Sequence, residues 1–224
     1  MAAACISITL PEQRAIAADN VEVNSPLIGL LKNFLPGTPE ASSPTEHDAL
    51  DAIAWDAPKR RGMSIEEMAD AIDVGLRERE WFVTGRSLPQ YFSDQFTFAD
   101  PDVSLNGIEA YSRAVRRLFD QETARCELVC CSATAPNTIN VVWRNSGRVN
   151  IGPLGFELKP YIVTTTLKTD LTDGLIVSQR DEFVADGPGL LLYQVPALRS
   201  LAAPAAPGVD VLRQSYSCPT KSAE

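Results

Sequence analysis

From Gln121 onward the apolar residues of this chain recur at every second position. They do so through four segments: Cys126 to Ser132, Ile139 to Asn145, Tyr161 to Thr169 and Leu175 to Val184. Side chains of an extended strand alternate between two faces, so this is the period of strands with one buried face. Before Gln121 the period is helical. Ser64 is followed three residues later by Glu67, the two polar members of a capping box. Ile65, Met68, Ala69, Ile72 and Leu76 then mark one helix face, with Glu66, Asp70, Asp73 and Arg77 opposite. Thr84-Gly85-Arg86 predicts the stop of that helix, and Pro89 to Phe92 a short second one. Gln95 to Asp100 alternates like a strand that Pro101-Asp102 ends or bends. Asn106 is placed to cap a further helix, whose stripe is Ile108, Tyr111, Val115, Leu118 and Phe119.

Helices gathered before a run of antiparallel strands imply an α+β fold with a sheet wrapped over helices. Pro136-Asn137 fits the turn between the first two strands of the run, and Asp170 to Gly174 a tight hairpin between the last two. The expected organisation is a domain over 61–195, an N-terminal extension or targeting leader over 1–60 and a flexible tail over 196–224. Leu27 to Leu35 is a candidate short amphipathic helix in the leader, and Leu190 to Leu192 are expected to pack on the domain. Early Ala and Ser fit a leader, while Glu12, Asp19 and Glu22 fit a plain disordered extension.

The net charge of -9 and the pI near 4.7 argue against a nucleic-acid partner, which needs a basic stripe. Arg113, Arg116 and Arg117 read instead as a solvated helix face with acidic neighbours. No apolar run approaches the ~20 residues that span a bilayer. The five cysteines include no Cys-x-x-Cys pair, and the one histidine, His47, lies in a polar segment. We therefore expect no metal and no cofactor. A Ser-His or Cys-His pair inside the domain is likewise not expected.

Two stretches carry a family resemblance. One is Phe98-Ala99-Asp100-Pro101-Asp102-Val103-Ser104-Leu105-Asn106-Gly107; the other runs from Lys159-Pro160-Tyr161 to Asp170 and on through Gly174-Leu175-Ile176-Val177-Ser178-Gln179-Arg180-Asp181. They resemble the NTF2-like superfamily, which includes SnoaL-like proteins and ketosteroid isomerases. The second stretch is similar to a branch found in plants, algae and cyanobacteria. The resemblance implies a cone-shaped barrel, with N-terminal helices packed on a curved, mostly antiparallel sheet. It further implies a plastid setting, and a homodimer through the sheet. It also implies that Asp100 stands where the isomerases place their base. Their first-helix tyrosine, which stabilises the enolate oxygen, is absent here: Arg77 or Glu78 falls at its place. Tyr161 is the candidate to donate from the sheet instead.

Alternation then assigns faces. Phe96, Phe98 and Asp100 share one side of the first strand; Leu175, Val177, Gln179, Asp181 and Phe183 share one side of the last. Tyr161, Val163, Thr165 and Leu167 form an inward set, as do Ile139, Val141 and Trp143. Asp100 and Asp181 become carboxyls among apolar walls, the setting that raises a carboxyl pKa toward neutrality for acid–base work. They are the candidate catalytic residues. The candidate substrate contacts are Phe96, Phe98, Tyr111, Trp143, Tyr161, Thr165, Gln179 and Phe183. Structural alternatives stand beside each. Asp100 before a proline is also a turn-capping residue. Asp181 is also a candidate ion-pair partner for Arg144, Lys159 or Arg180, and the aromatics are also plain core. Three functions stay open: cofactor-free acid–base chemistry on a small apolar molecule (isomerase, cyclase or epoxide hydrolase), non-catalytic binding of a pigment, tetrapyrrole, lipid or terpenoid, and protein interaction.

Overall fold

The structure, a computed structural model, describes residues 49–100, 103–151, 155–183, 193–202 and 204–216. Residues 1–48 of the leader, with the Leu27–Leu35 helix and His47, the Pro101-Asp102 bend and Leu190 to Leu192 lie outside the described residues.

Six strands form one mixed sheet: β1 (Phe92–Ala99), β2 (Ser104–Asn106), β3 (Arg125–Ala135), β4 (Thr138–Val149), β5 (Phe156–Thr169) and β6 (Ile176–Glu182). Their order is β2-β1-β6-β5-β4-β3. β1 and β6 run parallel, and every other neighbouring pair is antiparallel. Both ends of that order are free edges, so the sheet curves over the helices without closing. The expected α+β class holds, and the expected barrel is an open cone.

Helix α1 (Ile65–Arg79) begins as the sequence implies: the Glu67 amide donates to Ser64 Oγ at 3.1 Å, and the Ser64 amide donates to Glu67 Oε2 at 2.8 Å. Such a cap contributes about 1 kcal/mol. Met68, Ile72 and Leu76 are buried from α1, each worth roughly 1.5–3 kcal/mol of burial. The helix does not continue to Thr84. It stops at Arg79: continued along the same axis, the stripe through Ile72 and Leu76 would take in Val83 but not Trp81 or Phe82, and all three are buried. Glu80 takes a left-handed turn (φ 47°) and a second helix, α2 (Trp81–Thr84), points these rings inward. The Cys126 amide donates to Glu80 Oε2 at 2.8 Å, which ties the turn to β3.

Asn106 does not cap helix α3 (Ile108–Leu118). It ends β2, opposite Thr97, and Gly107 at φ 84° makes the entry with no side-chain cap. The cause is a hairpin the alternation did not reveal, β1 turning directly into β2 with the Asp100 amide on Val103 O. A second correction concerns β6. The register shifts between Lys168 and Thr169, so Ile176 enters the core where Val177 was expected.

The C-terminal stretch also differs from a flexible tail. It carries a 3₁₀ helix (Pro196–Leu201) and helix α4 (Val209–Ser215). The Ala206 amide donates to Pro160 O at 2.8 Å and Arg144 Nε donates to Ala206 O at 3.4 Å. Arg213 Nη2 donates to Leu128 O at 2.7 Å, and Leu212 is buried. The segment thus crosses β5 and β4 on the face away from Trp143 and ends on β3. Arg113 on α3 pairs with Glu109 and Asp51, as the solvated-face reading expects. Among the described residues no helix is long and apolar enough to cross a membrane.

Candidate functional site

Period-two alternation and strand register together build the site. On β6 the inward positions are Gln179, Asp181 and, just past the strand, Phe183. Thr165 on β5 lies directly opposite Asp181, and Tyr161 lies opposite Asn145 on β4. Cross-strand partners stand close enough for short side chains to bond, and both pairs do. Thr165 Oγ1 donates to Asp181 Oδ1 at 2.6 Å, and Asn145 Nδ2 donates to Tyr161 Oη at 2.8 Å. Trp143 Nε1 donates to Thr165 Oγ1 at 3.0 Å, so the threonine hydroxyl accepts from the indole while donating to the carboxylate. Helix α3 adds Tyr111. One amide nitrogen, Gln179 Nε2, donates to both Tyr111 Oη (3.1 Å) and Asp181 Oδ1 (3.2 Å).

These groups border a hollow of about 130 Å³ between α2, α3 and the concave face of the sheet. Asp100, Asp181, Phe98, Tyr111, Trp143, Tyr161 and Phe183 line it, all of them expected. Three expected contacts stand behind the wall. Phe96 packs on Phe92 at 5.0 Å, and Thr165 and Gln179 hold Asp181 from outside the hollow. The sequence reading missed Phe82, Phe119 and Asn145. Asn145 was legible, since it continues the Ile139, Val141, Trp143 alternation by one step. Phe82 was not, because it depends on the left-handed turn at Glu80.

Asp181 is 8% exposed. Burial pushes its carboxyl up to about 7, against the opposing hydrogen bonds from Thr165 and Gln179 and with some help from the Asp100 charge. Both hydrogen bonds land on Oδ1, which leaves Oδ2 as the oxygen with capacity for a ligand. The ion-pair alternative does not describe it: Arg180 pairs with Glu182 and Arg144 with Glu127, while Asp181 takes its bonds from neutral donors. Asp100 has two roles. Its Oδ1 accepts from the Val103 amide at 2.5 Å, as a turn cap does, and its side chain borders the hollow.

Burial lifts the Tyr111 phenol well above its ordinary value, with the Asp181 charge adding to it. Tyr161 is pushed up to about 12 by burial, against its Asn145 hydrogen bond. Both phenols stay protonated, and each accepts an amide hydrogen at its oxygen. On α1, Arg77 pairs with Asp73 at 2.9 Å, so the phenols of this site come from α3 and β5. Among the described residues the buried Oδ1 of Asn145 and Oε1 of Gln179 have no hydrogen-bond partner. Among the described residues no group of three or more metal-ligating side chains occurs.

No family model and no curated protein matches the chain. Some solved structures are similar to it over part of its length. A protein from Catenulispora acidiphila with a ketosteroid isomerase-like fold, in complex with trimethylamine, is 16% identical over 55% of this chain and 90% of that one, with a TM-score of 0.39. A SnoaL-like polyketide cyclase, so described, from Jannaschia sp. CCS1 is 14% identical over 62% and 99%, TM-score 0.42. An LEH-like epoxide hydrolase from M. tuberculosis is 20% identical over 63% and 99%, TM-score 0.41. At such identities and scores, the chemistry of the pocket has to be read from this chain's own residues.

Proposed function

We propose that this chain binds a small, largely apolar molecule in the hollow and that Asp181 exchanges a proton with it, without a cofactor. One observation carries the reading. A carboxyl that burial pushes up to about 7 borders a hollow walled by aromatic rings, and both of its hydrogen bonds, from Thr165 and Gln179, fall on one oxygen. A group poised near the working pH is present in both forms, which is what general acid–base catalysis requires. Isomerisation, ring closure and epoxide opening are the reaction classes that need no more than this. Tyr111 and Tyr161 supply hydrogen bonds to a reacting oxygen.

The test is turnover of a panel of small ketones and epoxides in deuterated water. Deuterium incorporation or ring opening above background, abolished in Asp181→Asn with the fold intact, supports the reading. An Asp181→Asn protein that keeps the full rate overturns it.

Asp100 favours a second reading, binding without turnover. Its Oδ1 closes the β1–β2 turn, so it serves structure whether or not it serves chemistry. A ligand that co-purifies and emerges unchanged after incubation supports that reading. The plastid setting and the homodimer implied by the family resemblance belong to the same proposal. A fluorescent fusion of residues 1–60 tests the first, and solution mass at several concentrations tests the second.

A further inference from the structure

Seven of the sixteen residues around the hollow are aromatic, two are aspartates, and none is Lys, Arg or His among the described residues. The rings are paired into walls: Phe98 with Tyr111 at 4.7 Å, Phe82 with Trp143 at 5.3 Å and Tyr161 with Phe183 at 5.6 Å. Aromatic faces carry negative charge density, so a cation over them is attracted and an anion repelled. Buried carboxylates are ordinarily matched by a cation, because leaving one unmatched is costly. Among the described residues no cation pairs with Asp181, whose hydrogen bonds come from Thr165 and Gln179. In the same wall Asn145 is 1% exposed and its Oδ1 has no donor, which is itself unusual for a buried acceptor.

We infer that the ligand of this hollow carries a compact organic cation, an alkylammonium of at most about seven heavy atoms. Its charge would lie against Asp181 and its alkyl groups against the rings. The inference rests on the small-molecule reading above and narrows it to a ligand class. The size follows from the volume: a cavity of about 150 Å³ accepts benzene, and this one is about 130 Å³. An anionic ligand, whether carboxylate or phosphate, meets two carboxyls and no counter-charge. The walls also suit a quaternary nitrogen, which needs no hydrogen-bond acceptor and takes its stabilisation from ring faces and a nearby negative charge.

The cation binds the ionised form of Asp181, so affinity follows the fraction ionised. The groups that face this carboxyl are Asp100 from β1, Tyr111 from α3, Tyr161 and Thr165 from β5, Gln179 from β6 and Cys126 from β3. Burial holds the Tyr111 phenol and the Cys126 thiol well above their ordinary values, and that of Tyr161 is about 12. Asp181, pushed up to about 7 by burial with some help from the Asp100 charge, changes its charge between pH 6 and pH 8. With its carboxyl at about 7, affinity rises about tenfold across that interval.

Calorimetric titration of the full chain with three probes decides the matter. Choline and 3,3-dimethylbutan-1-ol have the same shape and differ by one positive charge; 2,2-dimethylpropanoate, with the same number of heavy atoms, carries a negative one. Choline binding at least tenfold tighter than the alcohol, tightening about tenfold from pH 6 to pH 8 and losing that pH dependence in Asp181→Asn, is the expected result. If the variant does not fold, the comparison of choline with the alcohol on the unaltered protein still decides. An alcohol that binds as tightly as choline overturns the cation and leaves the pocket reading standing. Binding of the anion as tightly as choline does the same. Heat from none of the three overturns both.

Discussion

The Thr165 hydroxyl donates to Asp181 Oδ1 across 2.6 Å, from the position directly opposite on the neighbouring strand. The same hydroxyl accepts from Trp143 Nε1 at 3.0 Å, so one small side chain holds both the acid and the largest ring of the site. Replacing Thr165 with Val keeps the shape and removes the hydroxyl. The indole N–H is then buried without a partner, at about 1–3 kcal/mol. Because this hydrogen bond lowers the Asp181 pKa, the carboxyl titrates higher still in Thr165→Val. Thr165→Ser restores both properties. Urea unfolding and carboxyl NMR read the two effects separately.

Asp181 also sets a slope of stability with pH. Burial pushes its carboxyl up to about 7 in the folded protein, against an ordinary 3.8 in the unfolded chain. Between these values the folded chain holds a proton that the unfolded chain has released. The unfolded state binds fewer protons, so stability falls as pH rises through this window and levels off above about 7. The total is on the order of a few kcal/mol, at about 1.4 kcal/mol per pK unit. Asp120, lowered chiefly by its Thr123 side-chain hydrogen bond, and Asp170, lowered chiefly by the Thr172 amide, act in the opposite sense. Their contribution is lost only as pH falls below the ordinary carboxylate range, so they leave the window from 4 to 7 to Asp181. Urea midpoints measured across that window decline in the native chain and stay flatter in Asp181→Asn.

Gly85 fixes the wall that Phe82 provides. It sits at φ 70°, and an added Cβ would lie 2.2 Å from the Ser112 carbonyl oxygen of α3. Neither the backbone angle nor the contact can be relieved without moving α2 off α3. Gly85→Ala is expected to cost roughly 2–4 kcal/mol, and to loosen Phe82 from Trp143, seen as a change in indole fluorescence. A variant with native stability and emission would show that α2 does not depend on this approach.

The C-terminal segment covers sheet surface. Leu212 is 4% exposed and Val129 on β3 is 3% exposed. Ending the chain before residue 204 removes α4 and the Ala206 hydrogen bond to Pro160. The apolar surface so uncovered favours a second copy of the sheet, because contiguous apolar patches promote association. Light scattering at several concentrations should then give a larger mass for the shortened chain than for the full one. Equal masses would mean that the segment does not control association.

The fold was legible where one physical signal determined one element. The Ser64 and Glu67 pair marked the start of α1, and alternation marked β3 to β6, the inward faces of β4 and β5 and that of β6 from Gln179 on. Asp181, Trp143 and Tyr161 reached the hollow because a period of two leaves a strand residue only two sides. What escaped depended on the backbone rather than on pattern. The left-handed Glu80, the Asp100–Val103 turn and the register shift between Ile176 and Ser178 each shift a residue by one step, and no apolar period records such a step. Behind the wall, Gln179 was placed on the correct face. Its role as a bridge between Tyr111 and Asp181 needed the contact between α3 and β6, which is not local in sequence.

The most direct test is the titration of Asp181 itself. With carboxyl carbons labelled, the NMR shift of each aspartate is followed from pH 3 to pH 9, and Asp181 is assigned by its absence in Asp181→Asn. The account predicts one aspartate with a midpoint near 7, moving downward when choline is bound. A spectrum in which Asp181 titrates below about 5, with or without ligand, would contradict it.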